Sequence, residues 1–164
     1  MDNYTAFTVC NVAYLHKALV LAESYFGETG KFLKIYIIDT KREIEILNDN
    51  QEIIWIEDIN VPGINQLAFK YDITELSTSL KPYIAKQNLQ NYEIVLFFDP
   101  DICIYSSIKP ILKDLENSSI LLTPHYTNPE PNDWPNSDIG MMRFGSFNLG
   151  FFGVRETQQA ENFK

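Results

Sequence analysis

Cysteine is scarce in this sequence, and its two cysteines, Cys10 and Cys103, lie far apart in apolar runs. This spacing excludes a disulfide scaffold and a zinc site of paired cysteines, and it predicts buried free thiols in a reducing compartment. Basic residues are also few, with 13 Lys and Arg against 22 Asp and Glu. Because the resulting net charge of −9 repels phosphate backbones, we expect no nucleic-acid partner.

Long hydrophobic segments and common phosphate-binding or nucleophile motifs are absent as well. The apolar stretch at 13–22 contains His16 and Lys17 and follows no basic leader. It predicts neither a secretion signal nor a membrane span, so we expect a cytoplasmic protein. There is no glycine-rich phosphate loop, dinucleotide-binding fingerprint or serine nucleophile elbow. An anionic ligand would therefore need a metal ion or a local cationic patch.

The composition that remains is that of a globular protein. Its 164 residues, 45% hydrophobic and 21% charged, predict one domain over residues 1–164. Strands and helices alternate in the pattern, which predicts an α/β fold with a mostly parallel central sheet flanked by helices. The predicted strands are 5–10, 32–38, 53–56, 93–98, 119–123 and 147–154; the predicted helices are 13–26, 41–47, two pieces of 64–90 divided at 74–79, and 110–116.

Two aspartates directly follow the most apolar predicted strand. Asp99 and Asp101 come after five consecutive apolar residues, where unpaired acids would be costly. Ligands of open α/β sheets bind beyond such carboxyl ends of strands. In extended backbone both side chains point to one side, and with no basic neighbour they suit Mg²⁺ or Mn²⁺. The alternative is a solvated acidic turn, since Asp-Pro-Asp is common turn chemistry.

The segment Phe-Phe-Asp-Pro-Asp-Ile at 97–102 resembles the DxD motif of glycosyltransferases with the GT-A fold. Four other segments resemble parts of family 8-like members, in the same order along nearly the whole chain. They are 5–14 with the helix at 18–22 (the unit that cradles the nucleoside), 75–82 (which carries a lysine), 121–125 (the next strand end) and 146–152 (the Asn-x-Gly strand of the donor-sugar pocket). The resemblance implies a Rossmann-like nucleotide-diphospho-sugar transferase fold and a metal-dependent glycosyltransferase.

The resemblance also implies a role for each matching residue. Asp99 and Asp101 would hold Mn²⁺ or Mg²⁺, which bridges the two phosphates of a nucleotide-sugar, with a UDP-sugar favoured. The acceptor would be a glycan, a lipid or a protein. The other donor contacts would be Thr8, Asn11 and Tyr14 at the base and ribose, Asp39 after the second strand, Lys81 at a phosphate or the sugar, Asn148 at the sugar hydroxyls, and Gly150, where the backbone can come close.

Several of these residues have structural alternatives. Tyr14 could belong to the core, and Lys81, just before Pro82, could be a solvated charge where a helix begins. His125 could be a metal ligand or a hydrogen-bonded loop residue. Two residues of the long proline-rich loop are also candidates: Arg143 could reach a phosphate, and Trp134 could belong to a loop that closes over the ligand.

The chain is shorter than complete GT-A enzymes, and we expect it to be a donor-binding part without the acceptor half. No third metal ligand and no catalytic nucleophile or base can be assigned. One alternative is an inactive module that binds a nucleotide or sugar on a GT-A scaffold. Another is a haloacid-dehalogenase-like phosphohydrolase, in which the first Asp attacks phosphorus. That motif normally follows the first strand and has Thr or Val where this chain has Cys103.

Overall fold

Strands and helices alternate along the chain in the computed structural model, which describes residues 3–46, 49–127 and 145–157. Single 3-10 turns at Val12–Tyr14 and Ile56–Asp58 follow the first and third strands. The regular elements of this part of the chain are the strands β1 (Tyr4–Cys10), β2 (Leu33–Ile37), β3 (Gln51–Trp55), β4 (Ile94–Phe98), β5 (Ile120–Pro124) and β6 (Phe147–Arg155), and the helices α1 (Leu15–Thr29), α2 (Ile64–Lys70), α3 (Ile73–Asn88) and α4 (Lys109–Leu115).

The strands form one six-stranded sheet in the order β3-β2-β1-β4-β6-β5. The first four strands of that order are parallel, and β6 runs antiparallel to both β4 and β5. This confirms the predicted α/β fold and its mostly parallel sheet. The pairing of β5 with β6 shifts between Leu122 and Thr123, and residues 149–151 of β6 are skipped. That irregularity lies beside the end of β4.

Helices cover the sheet on both faces, which explains why β4 is a continuous apolar run and why every residue of β1 and β4 is buried. Side chains alternate between the faces, so Ala6 and Cys10 pack with α1 and α4, whereas Phe7 and Val9 pack with α3. Among the described residues, no helix has the length and apolar character needed to cross a lipid bilayer.

The prediction of a helix at 41–47 is wrong for residues 41–46, which have no regular structure. Residue 47 lies outside the described part of the chain. So short a helix is marginal unless tertiary contacts support it. Here the contacts favour an irregular segment. The Lys41 ammonium pairs with Asp58 at 2.7 Å, and the Lys41 amide donates to the Glu57 carboxylate at 3.3 Å.

The break between the two helices after residue 64 was predicted at 74–79 and lies instead just before Ile73. Asp72 begins α3 with a capping box: its side chain accepts from the amides of Thr74 and Glu75, each at 2.8 Å, and the Glu75 side chain accepts from the Asp72 amide at 3.2 Å. Because this box starts the helix early, residues 74–79 form its first turns. Residues 75–82, which resemble the lysine-bearing segment of the family, therefore all belong to the helix α3.

Candidate functional site

A cavity of about 260 Å³ opens where β1, β2 and β4 end, at the edge of the sheet where α/β proteins bind ligands. Apolar and polar groups both line it, and Lys81 is the one cation among its described lining residues. The lining residues are Val9, Cys10, Asn11, Tyr14, Ile38, Ile73, Thr74, Ser77, Thr78, Lys81, Asp99, Pro100 and Asp101.

The turn between β1 and α1 brings Asn11 and Tyr14 to this cavity. The Asn11 side chain accepts a hydrogen bond from the Tyr14 amide at 3.0 Å, which fixes the turn. Tyr14 is 47% exposed, so the alternative that it belongs to the core is wrong. Asp39 does not line the cavity; its carboxylate accepts from the Val12 amide at 2.7 Å. Asp39 thus supports the turn from the end of β2.

Thr8 and Cys10 share the α1 side of β1 and differ in their relation to the cavity. Thr8 is buried, does not line the cavity, and its hydroxyl has no hydrogen-bond partner among the described residues. Cys10 does line it. Burial, with a smaller contribution from the charge of Asp39, raises the pKa of the Cys10 thiol to about 12. The thiol therefore keeps its proton at neutral pH and is no nucleophile.

One face of α3 forms the wall opposite β1. Thr74, Ser77, Thr78 and Lys81 follow one another at helical spacing, so their side chains share that face. The three hydroxyl residues were missed in the sequence. The same spacing would have found them if the Asp72–Glu75 capping box had been used to place the start of the helix. Hydroxyl groups beside an ammonium suit the oxygens of a ribose or a phosphate.

Asp99 and Asp101 line the same cavity, but the backbone between them is a turn and not the extended segment that was expected. The Ile102 amide donates to the Asp99 carbonyl at 3.1 Å, which closes the turn. The Asp99 amide donates to the Gly150 carbonyl at 2.7 Å and so continues the β4–β6 ladder by one bond. The two acids therefore sit on a turn that is tied to β6.

The expectation that the two acids have no basic neighbour is wrong. The Lys81 ammonium lies 2.9 Å from one carboxylate oxygen of Asp99 and donates to the Leu149 carbonyl at 3.3 Å. It also lies 4.3 Å from the centre of the Phe97 ring. Lys81 is in the middle of α3 and its side chain is only 10% exposed, so it is not a solvated charge at a helix start.

Asn148 and Gly150 lie beside Asp99, outside the lining of the 260 Å³ cavity. The Gly150 amide donates to the Asn148 side chain at 2.8 Å. A Cβ at Gly150 would lie 3.0 Å from that amide oxygen and 3.3 Å from the second carboxylate oxygen of Asp99. The missing side chain of Gly150 therefore leaves a small hollow lined by oxygen atoms.

The carboxylates of Asp99 and Asp101 decide whether a divalent metal fits this cavity. Among the described residues, no group of three or more His, Cys, Asp or Glu side chains gathers at one point. Asp99 and Asp101 offer carboxylate oxygens, and Mg²⁺ is commonly held by one or two carboxylates together with substrate phosphates and water. The residues therefore fit a metal that arrives with a phosphate ligand, and they do not form a complete cage.

The remaining sequence candidates are not gathered at this cavity. His125 contacts the Gly145 carbonyl through Nδ1 at 2.9 Å and does not line the cavity, which matches the loop alternative. Arg143 and Trp134 lie outside the described residues. A second, more apolar groove of about 660 Å³ runs between α3 and the β5–β6 pair, and Lys81 borders both spaces.

Several solved structures resemble this chain, among them the following two. An active-site mutant of LgtC matches with a TM-score of 0.59 and 14% identity over 92% of this chain and 57% of that chain. Mouse xyloside xylosyltransferase 1, in its apo form, matches with a TM-score of 0.50 and 13% identity over 93% of this chain and 67% of that chain. The chain thus spans little more than half the length of LgtC.

No family model and no curated protein matches the sequence. Both structural neighbours are GT-A glycosyltransferases, and the likeness shows the fold that the sequence motifs predicted. The haloacid-dehalogenase-like alternative loses its support, because it required a different fold in which the acidic motif follows the first strand.

Proposed function

We propose that this chain, with its GT-A glycosyltransferase fold, binds a nucleotide-diphospho-sugar and transfers the sugar to an acceptor. The observation that supports this most is the single cavity in which two acids, one ammonium and a row of hydroxyls meet at the ends of β1, β2 and β4. A nucleoside diphosphate carries the complementary groups: a base and ribose to be enclosed, and a charged diphosphate to be neutralised. UDP is the donor nucleotide that the sequence resemblance favours.

The nucleoside end of the donor is proposed to lie against the β1–α1 turn. Tyr14 offers a half-exposed ring against which a base can pack, and Asn11 borders the same space. The Lys17 ammonium lies 4.6 Å from the centre of that ring, so one ring face is already covered. Asp39 contributes indirectly, because its bond to the Val12 amide holds this turn in place. Thr8 is assigned no contact, since its side chain is fully buried and does not line the cavity.

The diphosphate is proposed to lie between α3 and the Asp99–Asp101 turn. Thr74 and Thr78 can donate hydroxyl hydrogen bonds to ribose or phosphate oxygens. The Ser77 hydroxyl already donates to the Thr74 carbonyl at 2.9 Å, so towards a ligand it can act as an acceptor. Asp99 and Asp101 are the residues that would hold Mn²⁺ or Mg²⁺. Such an ion, when bound, stabilises the negative charge that develops on the departing nucleoside diphosphate.

The sugar is proposed to extend from the diphosphate towards β6. Asn148 is exposed there and can hydrogen-bond hydroxyl groups, and Gly150 lets a ligand approach the backbone. The acceptor, a glycan, a lipid or a protein, would approach from this side. Among the described residues we assign no nucleophile or base to the transfer step.

Calorimetry with UDP tests the donor site. We expect binding in the presence of Mn²⁺, and we expect a chelator to weaken it at least tenfold. Asp101→Ala should weaken it to the same degree, because it removes a proposed metal ligand. Asp101 is exposed, so we expect the fold to be retained. Asp114→Ala, an exposed acid on α4, is the matched control. Equal UDP affinity in all these conditions would contradict the proposal.

The alternative of a binding module without transferase activity shares the same cavity. It is favoured by the lack of a third metal-ligating side chain beside Asp99 and Asp101 among the described residues. Release of UDP from a UDP-sugar by the purified chain, with or without added acceptors, distinguishes the two. Binding without any release would assign the module.

A further inference from the structure

Resting on the proposed donor site, we infer that Lys81 acts as a built-in counter-cation for Asp99, so that the aspartate pair takes up a divalent ion only together with a diphosphate. Lys81 is then a positioning residue that makes metal binding depend on nucleotide binding. The inference begins from the contacts of its ammonium group, which no sequence motif indicates.

Three electron-rich groups surround this ammonium. It lies 2.9 Å from Asp99, 3.3 Å from the Leu149 carbonyl and 4.3 Å from the centre of the Phe97 ring. Its side chain is 10% exposed, so water can satisfy little of its charge. The stem is fixed by its place in the middle of α3. The ammonium is therefore held at Asp99 by the fold itself.

This arrangement leaves the pair of acids poorly suited to a metal ion alone. One carboxylate oxygen of Asp99 is already paired with the Lys81 ammonium. Among the described residues, Asp101 is the only second carboxylate, and no third ligating side chain joins the two. A divalent ion approaching the turn meets a positive charge beside its first ligand and too few oxygen ligands to replace its water. We expect weak metal binding in the absence of nucleotide.

A diphosphate changes both conditions. It brings several oxygen ligands for the ion and additional negative charge against the ammonium, which borders the same cavity. Nucleotide and metal should therefore strengthen each other's binding, and by reciprocity the coupling has the same size in both directions. Lys81 increases this coupling because it lowers only the affinity of the metal that arrives alone.

Mn²⁺ binding without nucleotide, followed by electron paramagnetic resonance of the unbound ion, tests the inference. We expect Lys81→Met to tighten this binding about tenfold, within the 5- to 150-fold range usual for coupled sites. Met keeps a similar volume against the Phe97 ring. Lys86→Met is the matched control, because Lys86 is exposed on the same helix and its loss removes the same charge. Asp101→Asn in the Lys81→Met background should abolish the gain.

Equal Mn²⁺ affinity in Lys81→Met, Lys86→Met and the unaltered chain would overturn the inference. If Lys81→Met does not fold, as judged by circular dichroism, Lys81→Gln provides the same comparison. The unaltered chain provides a second test. If UDP binds but the affinity for Mn²⁺ is the same with and without UDP, the inference is overturned.

The two proposals fail separately. If Lys81→Met gains Mn²⁺ affinity but UDP binds under no condition, the effect of Lys81 on the metal stands, whereas the donor site and the dependence of the metal on nucleotide do not. If UDP binds with Mn²⁺ but Lys81→Met leaves Mn²⁺ affinity unchanged, the donor site stands and the role of Lys81 does not.

Discussion

Replacing Asp99 by Ala should destabilise the protein, whereas the same change at Asp101 should not. Asp99 is the only carboxylate that contacts the buried Lys81 ammonium among the described residues. Its loss leaves that ammonium with the Leu149 carbonyl and the Phe97 ring. A buried charge without a partner is costly, because burial has removed the water that would otherwise solvate it.

The size of the effect follows from the exposure of the two side chains. Removing one partner of a fully buried ion pair costs about 3–5 kcal/mol. The Asp99 side chain is 36% exposed, so water can partly replace its carboxylate, and we expect about 2–3 kcal/mol. For a chain of this length that lowers the midpoint of thermal unfolding by roughly 4–12 °C. Asp101→Ala should stay within about 0.5 kcal/mol of the unaltered chain.

Urea unfolding followed by circular dichroism measures both variants. Adding Lys81→Met to Asp99→Ala should restore most of the lost free energy of unfolding, since the unpaired charge is then removed. The reasoning is refuted if Asp99→Ala is as stable as Asp101→Ala, or if the second substitution restores nothing. The result also matters for metal studies, because loss of metal binding in Asp99→Ala would be mixed with loss of structure.

Three further predictions concern separate parts of the fold. Gly150→Ala should weaken binding of UDP with Mn²⁺ at least tenfold in calorimetry while far-UV circular dichroism is unchanged, because its Cβ would lie 3.3 Å from an Asp99 oxygen; unchanged affinity would contradict this. Asp72→Ala should lower the free energy of unfolding by about 1 kcal/mol through loss of the α3 cap, and a loss below about 0.3 kcal/mol would argue against that contribution. Burial raises the pKa of the Cys10 thiol from its ordinary value of 9.0 to about 12, so its share of stability is complete below pH 9 and is lost as pH rises towards 12. Cys10→Ala should reduce the fall in unfolding free energy over that range, and an unchanged fall would contradict this.

The sheet could be predicted from the sequence because it depends on local patterns, and the same patterns indicate where the candidate site lies. The run before Asp99 is apolar throughout because β4 is covered on both faces, and its end marks the ligand edge of the sheet. The start of α3 was also within reach, since Asp72 and Glu75 have the spacing of a capping box. The helix expected at 41–47 shows the limit of such patterns, because contacts from Asp58 to Lys41 decide that segment.

The charge balance of the site could not be predicted from the sequence. Lys81 and Asp99 are 18 residues apart, and the Leu149 carbonyl that also contacts Lys81 is 68 residues away. Their meeting depends on how α3 packs on β4 and on the skipped pairing in β6. Neither is a local property of the chain. The exclusion of Thr8 from the cavity also could not be predicted from the sequence. Thr8 shares a face of β1 with Cys10, which does line the cavity, so the alternation of side chains along the strand does not distinguish the two.

The most direct test of the donor site is a crystal structure of the protein with UDP and Mn²⁺, with data collected at a wavelength where manganese scatters anomalously. We predict the base beside Asn11 and Tyr14, and an anomalous peak between the diphosphate and the carboxylates of Asp99 and Asp101. Nucleotide bound elsewhere, or a manganese peak away from those two carboxylates at saturating UDP, would contradict the proposed function.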